Sequence, residues 1–109
     1  MRSGLTIVTV PAGGAYGYAL IGWLRRDDGD EWEMTGARII KRYGTARSIA
    51  ELAAAGPIES TKLLPASKFP LYLHRLHMGR PEIVDPAVWT FEAAGEKSVP
   101  RPVGWEPKE

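Results

Sequence analysis

The chain contains no cysteine. That excludes a disulfide staple, a thiolate nucleophile and a cysteine-ligated metal, and it suits a reducing compartment. Histidine is scarce, with only His74 and His77, so the commonest general base and metal ligand is in short supply. No apolar run reaches the length of about eighteen residues that a helix needs to cross a bilayer. The opening Met1-Arg2-Ser3-Gly4-Leu5 lacks the long apolar core of a secretory signal. These absences lead us to expect a cytoplasmic protein with no membrane partner.

Turn-forming residues are plentiful instead. Twelve Gly and nine Pro in 109 residues favour short strands over long helices. The length suits one domain with a thin core. We expect a single globular β-rich domain over residues 1–91. Over 92–109, Pro100, Pro102, Pro107 and interspersed charges leave little to bury, which predicts an extended or disordered Pro-rich tail.

Leu5 to Val10 reads as a first strand and Tyr18 to Arg26 as a second. The second places Tyr18, Leu20 and Leu24 on one face and Ile21 and Trp23 on the other. Asp27-Asp28-Gly29-Asp30 carries an Asp-Gly hairpin signal, and Glu31 to Tyr43 runs back. Thr61–Leu64, Leu71–Met78 and Ile83-Val84 read as further strands. Ser48-Ile49-Ala50-Glu51 is a capping box that starts one short helix over residues 48–55, ended by Gly56 and Pro57. Asp85-Pro86 reads as a cap followed by Pro at the first helical position. The expected fold is mainly β with one short α-helix: a small antiparallel β-barrel or curled sheet, with a helix packed on it and an extended C-terminal tail. Tyr18, Trp23, Trp32 and Trp89 are expected to fill the core. Trp105, in the tail, is expected to dock on a partner or a second copy, which predicts a homo-oligomer.

A net charge of +1 hides a sharp division. Residues 34–80 hold eight Lys/Arg (Arg38, Lys41, Arg42, Arg47, Lys62, Lys68, Arg75, Arg80) against Glu51 and Glu59, so eight minus two gives +6. Asp27 to Glu33 holds five acids and no base. Most of the basic residues scatter over different elements. The concentrated part is Lys41 to Ser48, where a cationic strand end meets the helix start. Arg42 and Arg47 suit bidentate capture of phosphate or carboxylate, with Lys41 adding charge. Tyr43 offers a ring for stacking, and Thr45 and Ser48 offer hydroxyls. The plainer alternative is a solvated loop whose cations pair with Asp27–Glu33. The spacing matches neither the phosphate-loop nor the dinucleotide fingerprint.

Other constellations are weaker. His74-x-x-His77 on a strand puts the rings on opposite faces, which disfavours a shared metal. The run Asp27 to Glu31 lacks the longer loop and distal Glu of a calcium hand and reads as a solvated hairpin tip. No serine sits in a nucleophile elbow, and no acid–base pair is evident. We therefore expect no catalytic residue, no metal and no cofactor, and a protein that is not an enzyme.

Trp32, Gly36-Ala37-Arg38-Ile39, Arg42-Tyr43-Gly44-Thr45 and Arg47, then Glu51-Leu52-Ala53, Gly56-Pro57, Thr61 and Leu63, form a further pattern. Over residues 32–64 it resembles small uncharacterised proteins encoded by bacteriophages and prophages. The resemblance implies context only: a short accessory protein acting by binding in a host bacterial cytoplasm. The leading expectation is a non-enzymatic protein that captures a small anionic ligand, with a nucleotide signal of bacterial antiviral defence as its sharpest form. The alternatives are a β-barrel module that binds nucleic acid or an acidic host protein, and a virion or assembly component. The absence of a recognition helix rich in Arg, Asn or Gln counts against DNA reading.

Overall fold

A computed structural model describes residues 4–11, 17–25, 31–42, 53–57, 61–74, 79 and 81–106, with backbone alone for Pro11, Gly17, Tyr18 and Arg42. The strands are β1 (Gly4–Pro11), β2 (Gly17–Arg25), β3 (Glu31–Arg42), β4 (Lys62–Leu63), β5 (Leu71–His74) and β6 (Glu82–Ile83). All pair antiparallel in one sheet of order β4-β3-β2-β1-β6, with β5 also on β3. The mainly β expectation holds. Among the described residues the sheet stays open, so the curled-sheet form stands and the closed barrel does not.

Strict alternation in β1 and β2 makes the sheet apolar on both faces. Leu5, Ile7, Ala19, Ile21 and Trp23 lie on one face, joined there by Ile40, Ala53, Val84, Trp89, Val99 and Trp105. Val8, Leu20 and Leu24 lie on the other with Trp32, Met34 and Ala37, and with Val10, Leu71 and Leu73 packed against them. An antiparallel sheet commonly leaves one face wet. Here both faces carry core, as the near-continuous apolar run from Ala19 to Leu24 requires.

A bulge makes this possible in β3. Ile21 pairs with Arg38 and Trp23 with Thr35, so Gly22 faces both Gly36 and Ala37. Gly36 takes φ +66, the left-handed region that glycine enters without penalty. The extra residue reverses the parity of the strand. Trp32 and Met34 lie on one face before it, Ala37 joins them after it, and Ile40 falls on the other face.

The helix expected over residues 48–55 is seen in its last turn, 53–55, and the capping box lies outside the described residues. Gly56 follows with φ +85, as its C-terminal position requires. The expected cap at Asp85 is present: its carboxylate accepts from the Ala87 amide at 3.0 Å and starts a 3-10 turn, Pro86–Trp89. A helical turn, α1 (Phe91–Ala94), and a second 3-10 turn, Gly95–Lys97, lead into a strap of residues 98–106. The strap has no strand pairing. It crosses the first face and buries Val99 and Trp105 in the core.

That corrects the reading of Trp105. It is 5% exposed, and its ring meets Trp23 of the same chain edge-on, centroids 5.1 Å apart. The inference from Trp105 to a homo-oligomer therefore loses its premise. Trp23, Trp32 and Trp89 are buried as expected, and the side chain of Tyr18 lies outside the described residues.

Candidate anion-binding site

The basic end of β3 is built by two strands. Arg42 stands opposite Lys62 and Ile40 opposite Leu63, with a second register shift between Ile40 and Arg42 that leaves Lys41 as the added residue. Ile40 and Leu63 turn to the core. Leu64 donates its amide to the Ile39 carbonyl at 2.9 Å and continues the edge. Lys41, Lys62, Leu63 and Leu64 line a cleft of about 450 Å3. Both lysines are exposed, and neither pairs with a carboxylate among the described residues.

The pairing alternative, in which acids of the hairpin satisfy this charge, fails for the acids that are described. Glu31 and Glu33 sit at the start of β3 and Lys41 at its end, roughly 30 Å away along an extended strand. Glu33 already faces Arg25, with Nη1 to Oε1 at 3.5 Å. Asp27 to Asp30 lie outside the described residues.

Not all of the basic block is free for a ligand. Arg38 donates Nε to the Leu64 carbonyl at 2.8 Å, and Nη1 to the carbonyls of Glu96 and Ser98 at 2.8 and 3.0 Å. Partial burial lowers its pKa by desolvation, but a guanidinium stays charged in proteins. Arg38 therefore ties the β4–β5 connection to the strap. Lys68 is exposed on that connection. Of the six site residues, Lys41 lines the cleft, and Arg42 is placed by its backbone alone, opposite Lys62. Tyr43, Thr45, Arg47 and Ser48 lie outside the described residues, as do Arg75 and Arg80. Lys62, Leu63 and Leu64 are the site residues that sequence reasoning missed, because only the β3–β4 register places them there.

His74 is half-buried in β5, opposite Glu31, and His77 lies outside the described residues. Among the described residues no group of three or more His, Cys, Asp or Glu could hold a metal. None of the described helices is long and apolar enough to cross a membrane.

A second cleft, of about 410 Å3, lies where the strap meets the sheet, between Leu5, Thr6, Trp23, Val84 and Trp105. The guanidinium carbons of Arg25 and Arg101 stand 5.7 and 5.3 Å from the Trp105 ring centroid, within cation–π range. Comparison with known proteins found no matching family model, no matching curated protein and no matching solved structure.

Proposed function

We propose that this chain is a non-enzymatic binding protein that captures an anionic ligand at the basic end of β3. The observation that carries the reading is the presence of Lys41 and Lys62 on one cleft, with no carboxylate paired to either among the described residues. Two ammonium groups with no carboxylate partner among the described residues, set on a concave surface, raise the local positive potential, and a phosphate offsets it. Leu63 and Leu64 give the same cleft an apolar wall, which suits the ring of a nucleotide. Arg42 stands beside it, opposite Lys62. Tyr43, Thr45, Arg47 and Ser48 follow in the sequence and carry a ring, a guanidinium and two hydroxyls.

In its sharpest form the ligand is a nucleotide signal of bacterial antiviral defence, and the protein is a phage-encoded trap that withdraws it. The resemblance of residues 32–64 to phage-borne proteins supports that context. Isothermal titration against pyrophosphate, cyclic oligonucleotides and NAD-derived signals is the test. The expected outcome is heat with at least one nucleotide, lost in the double variant Lys41→Ala, Lys62→Ala. Silence across the panel would sink the nucleotide version.

The second reading, a nucleic-acid or acidic-protein surface, is favoured by exposed Lys68 on the segment that follows Lys62. Gel shifts with duplex and single-stranded DNA at two salt concentrations separate the two. A shift confined to low salt and indifferent to sequence marks a general electrostatic surface, because phosphate-driven binding falls steeply with salt.

A further inference from the structure

The cleft between the strap and the sheet has the make-up of a small-molecule site. Leu5, Trp23, Val84 and Trp105 line it and are buried, while Ile83 and Pro86 line it and are exposed. Its volume of about 410 Å3 falls within the range of roughly 300–1,000 Å3 of ligand pockets. The buried part is already packed: Trp23 donates its indole N–H to the Val99 carbonyl at 3.0 Å and meets the Trp105 ring edge-on. In such apolar pockets a few fixed polar groups orient the ligand.

Here the charged groups are Arg101 and Glu106. A guanidinium presents two pairs of parallel donors. Arg101 uses one pair on the Trp105 carbonyl, with Nε at 3.1 Å and Nη2 at 2.9 Å, which fixes its plane beside the cleft. The other pair, Nη1 with Nη2, is half used. Nη2 donates to the Glu106 carboxylate at 3.3 Å, and Nη1 makes no hydrogen bond among the described residues. Glu106 is therefore a carboxylate already seated on this guanidinium, by a single long contact. Its side chain is 79% exposed, so the contact is weakly held. A ligand carboxylate that uses both donors makes the stronger bidentate pair that Glu106 does not.

We propose that this cleft binds a small apolar carboxylate, an aryl or alkyl acid. Its hydrocarbon lies against Ile83, Pro86 and Trp105, and its carboxylate takes the Nη1–Nη2 side of Arg101 in place of Glu106. The site shares no residue with the lysine cleft at β3, so each stands or falls without the other.

The probe is phenylacetate, with phenylacetamide as its neutral counterpart, titrated into the full chain. Proton–nitrogen NMR follows the indole N–H signals of the four tryptophans. Phenylacetate is expected to bind in the millimolar range of so small a ligand and to move the signals of Trp23 and Trp105, leaving Trp32 on the opposite face in place. The amide is expected to bind about tenfold more weakly, since it cannot form the charge-assisted pair. Glu106→Gln removes the competing charge from an exposed position and is expected to tighten phenylacetate binding about two- to fivefold, the range for an exposed ion pair. A Trp105 signal that phenylacetate does not move overturns the site. Equal binding of acid and amide overturns the carboxylate, and that comparison needs no variant. A Glu106→Gln chain that binds no tighter overturns the exchange at Arg101.

Discussion

Gly22 sits on β2 opposite the bulge of β3. A Cβ built there would stand 2.6 Å from Met34 Cγ, 2.9 Å from its sulfur and 3.0 Å from the Ala37 Cα. Met34 is fully buried and flanked by packed side chains, so it has little room to yield. We expect Gly22→Ala to lower stability by about 2 kcal/mol through overpacking, read as a drop in urea midpoint at unchanged slope. Arg38 is the other residue on which several segments converge. Its guanidinium joins three carbonyls from two segments far apart in sequence. Arg38→Ala should cost about 2 kcal/mol, the range for hydrogen bonds to a charged group, with Lys at that position restoring only part because it lacks the planar fork. Neither role is legible locally. Arg38 reads as one more cation of the basic block, and Gly22 as an ordinary strand glycine, because both roles depend on what a different strand or the strap presents.

At the scale of elements, β3 is the hub of the sheet, paired with β2, β4 and β5. Its alternation of Trp32 and Met34 with polar residues was legible in the sequence, and so was the hairpin with β2. The parity reversal at Gly36 was not, because a bulge is defined by two strands in register and one strand alone does not reveal it. Gly36→Ala forces a side chain into the left-handed region and should destabilise by about 1–2 kcal/mol. Two-dimensional NMR should place the largest shifts at the β2–β3 contact. The capped turns were legible for the opposite reason: Asp85 needs only the Ala87 amide two residues on, and Gly56 only its own φ. The candidate site divides along the same line. Lys41 and Arg42 stood out in sequence as neighbours in a cationic run, whereas Lys62, Leu63 and Leu64 join them only through a cross-strand register.

Across the whole molecule, β3 separates charge. Glu31 and Glu33 stand at one end and Lys41 at the other, so a near-neutral chain can still present a positive pole. Lys41→Glu with Lys62→Glu should abolish the proposed anion capture while leaving stability, read from urea unfolding, within about 0.5 kcal/mol, since both side chains are exposed. For the natural chain, measured affinity should fall as salt rises, with the slope reduced in single-lysine variants. The strap is the second molecular-scale feature. Trp105→Ala removes a buried ring from the first face and should cost about 3–4 kcal/mol. Intrinsic fluorescence should report it, because the partner ring Trp23 becomes wet.

What the sequence determined by itself was the chemistry of short range. Period-two apolar alternation dictated strands, Asp-Pro and Gly-Pro pairs dictated where helical turns start and stop, and the absence of cysteine closed off thiol chemistry. The tertiary structure alone decided which apolar face met which, that Trp105 belongs to the core of its own chain, that Arg38 is tied to carbonyls, and that Lys62 joins Lys41. Each of these is a contact between segments distant along the chain, and its free energy depends on register, parity and the path of a strap that no local pattern encodes.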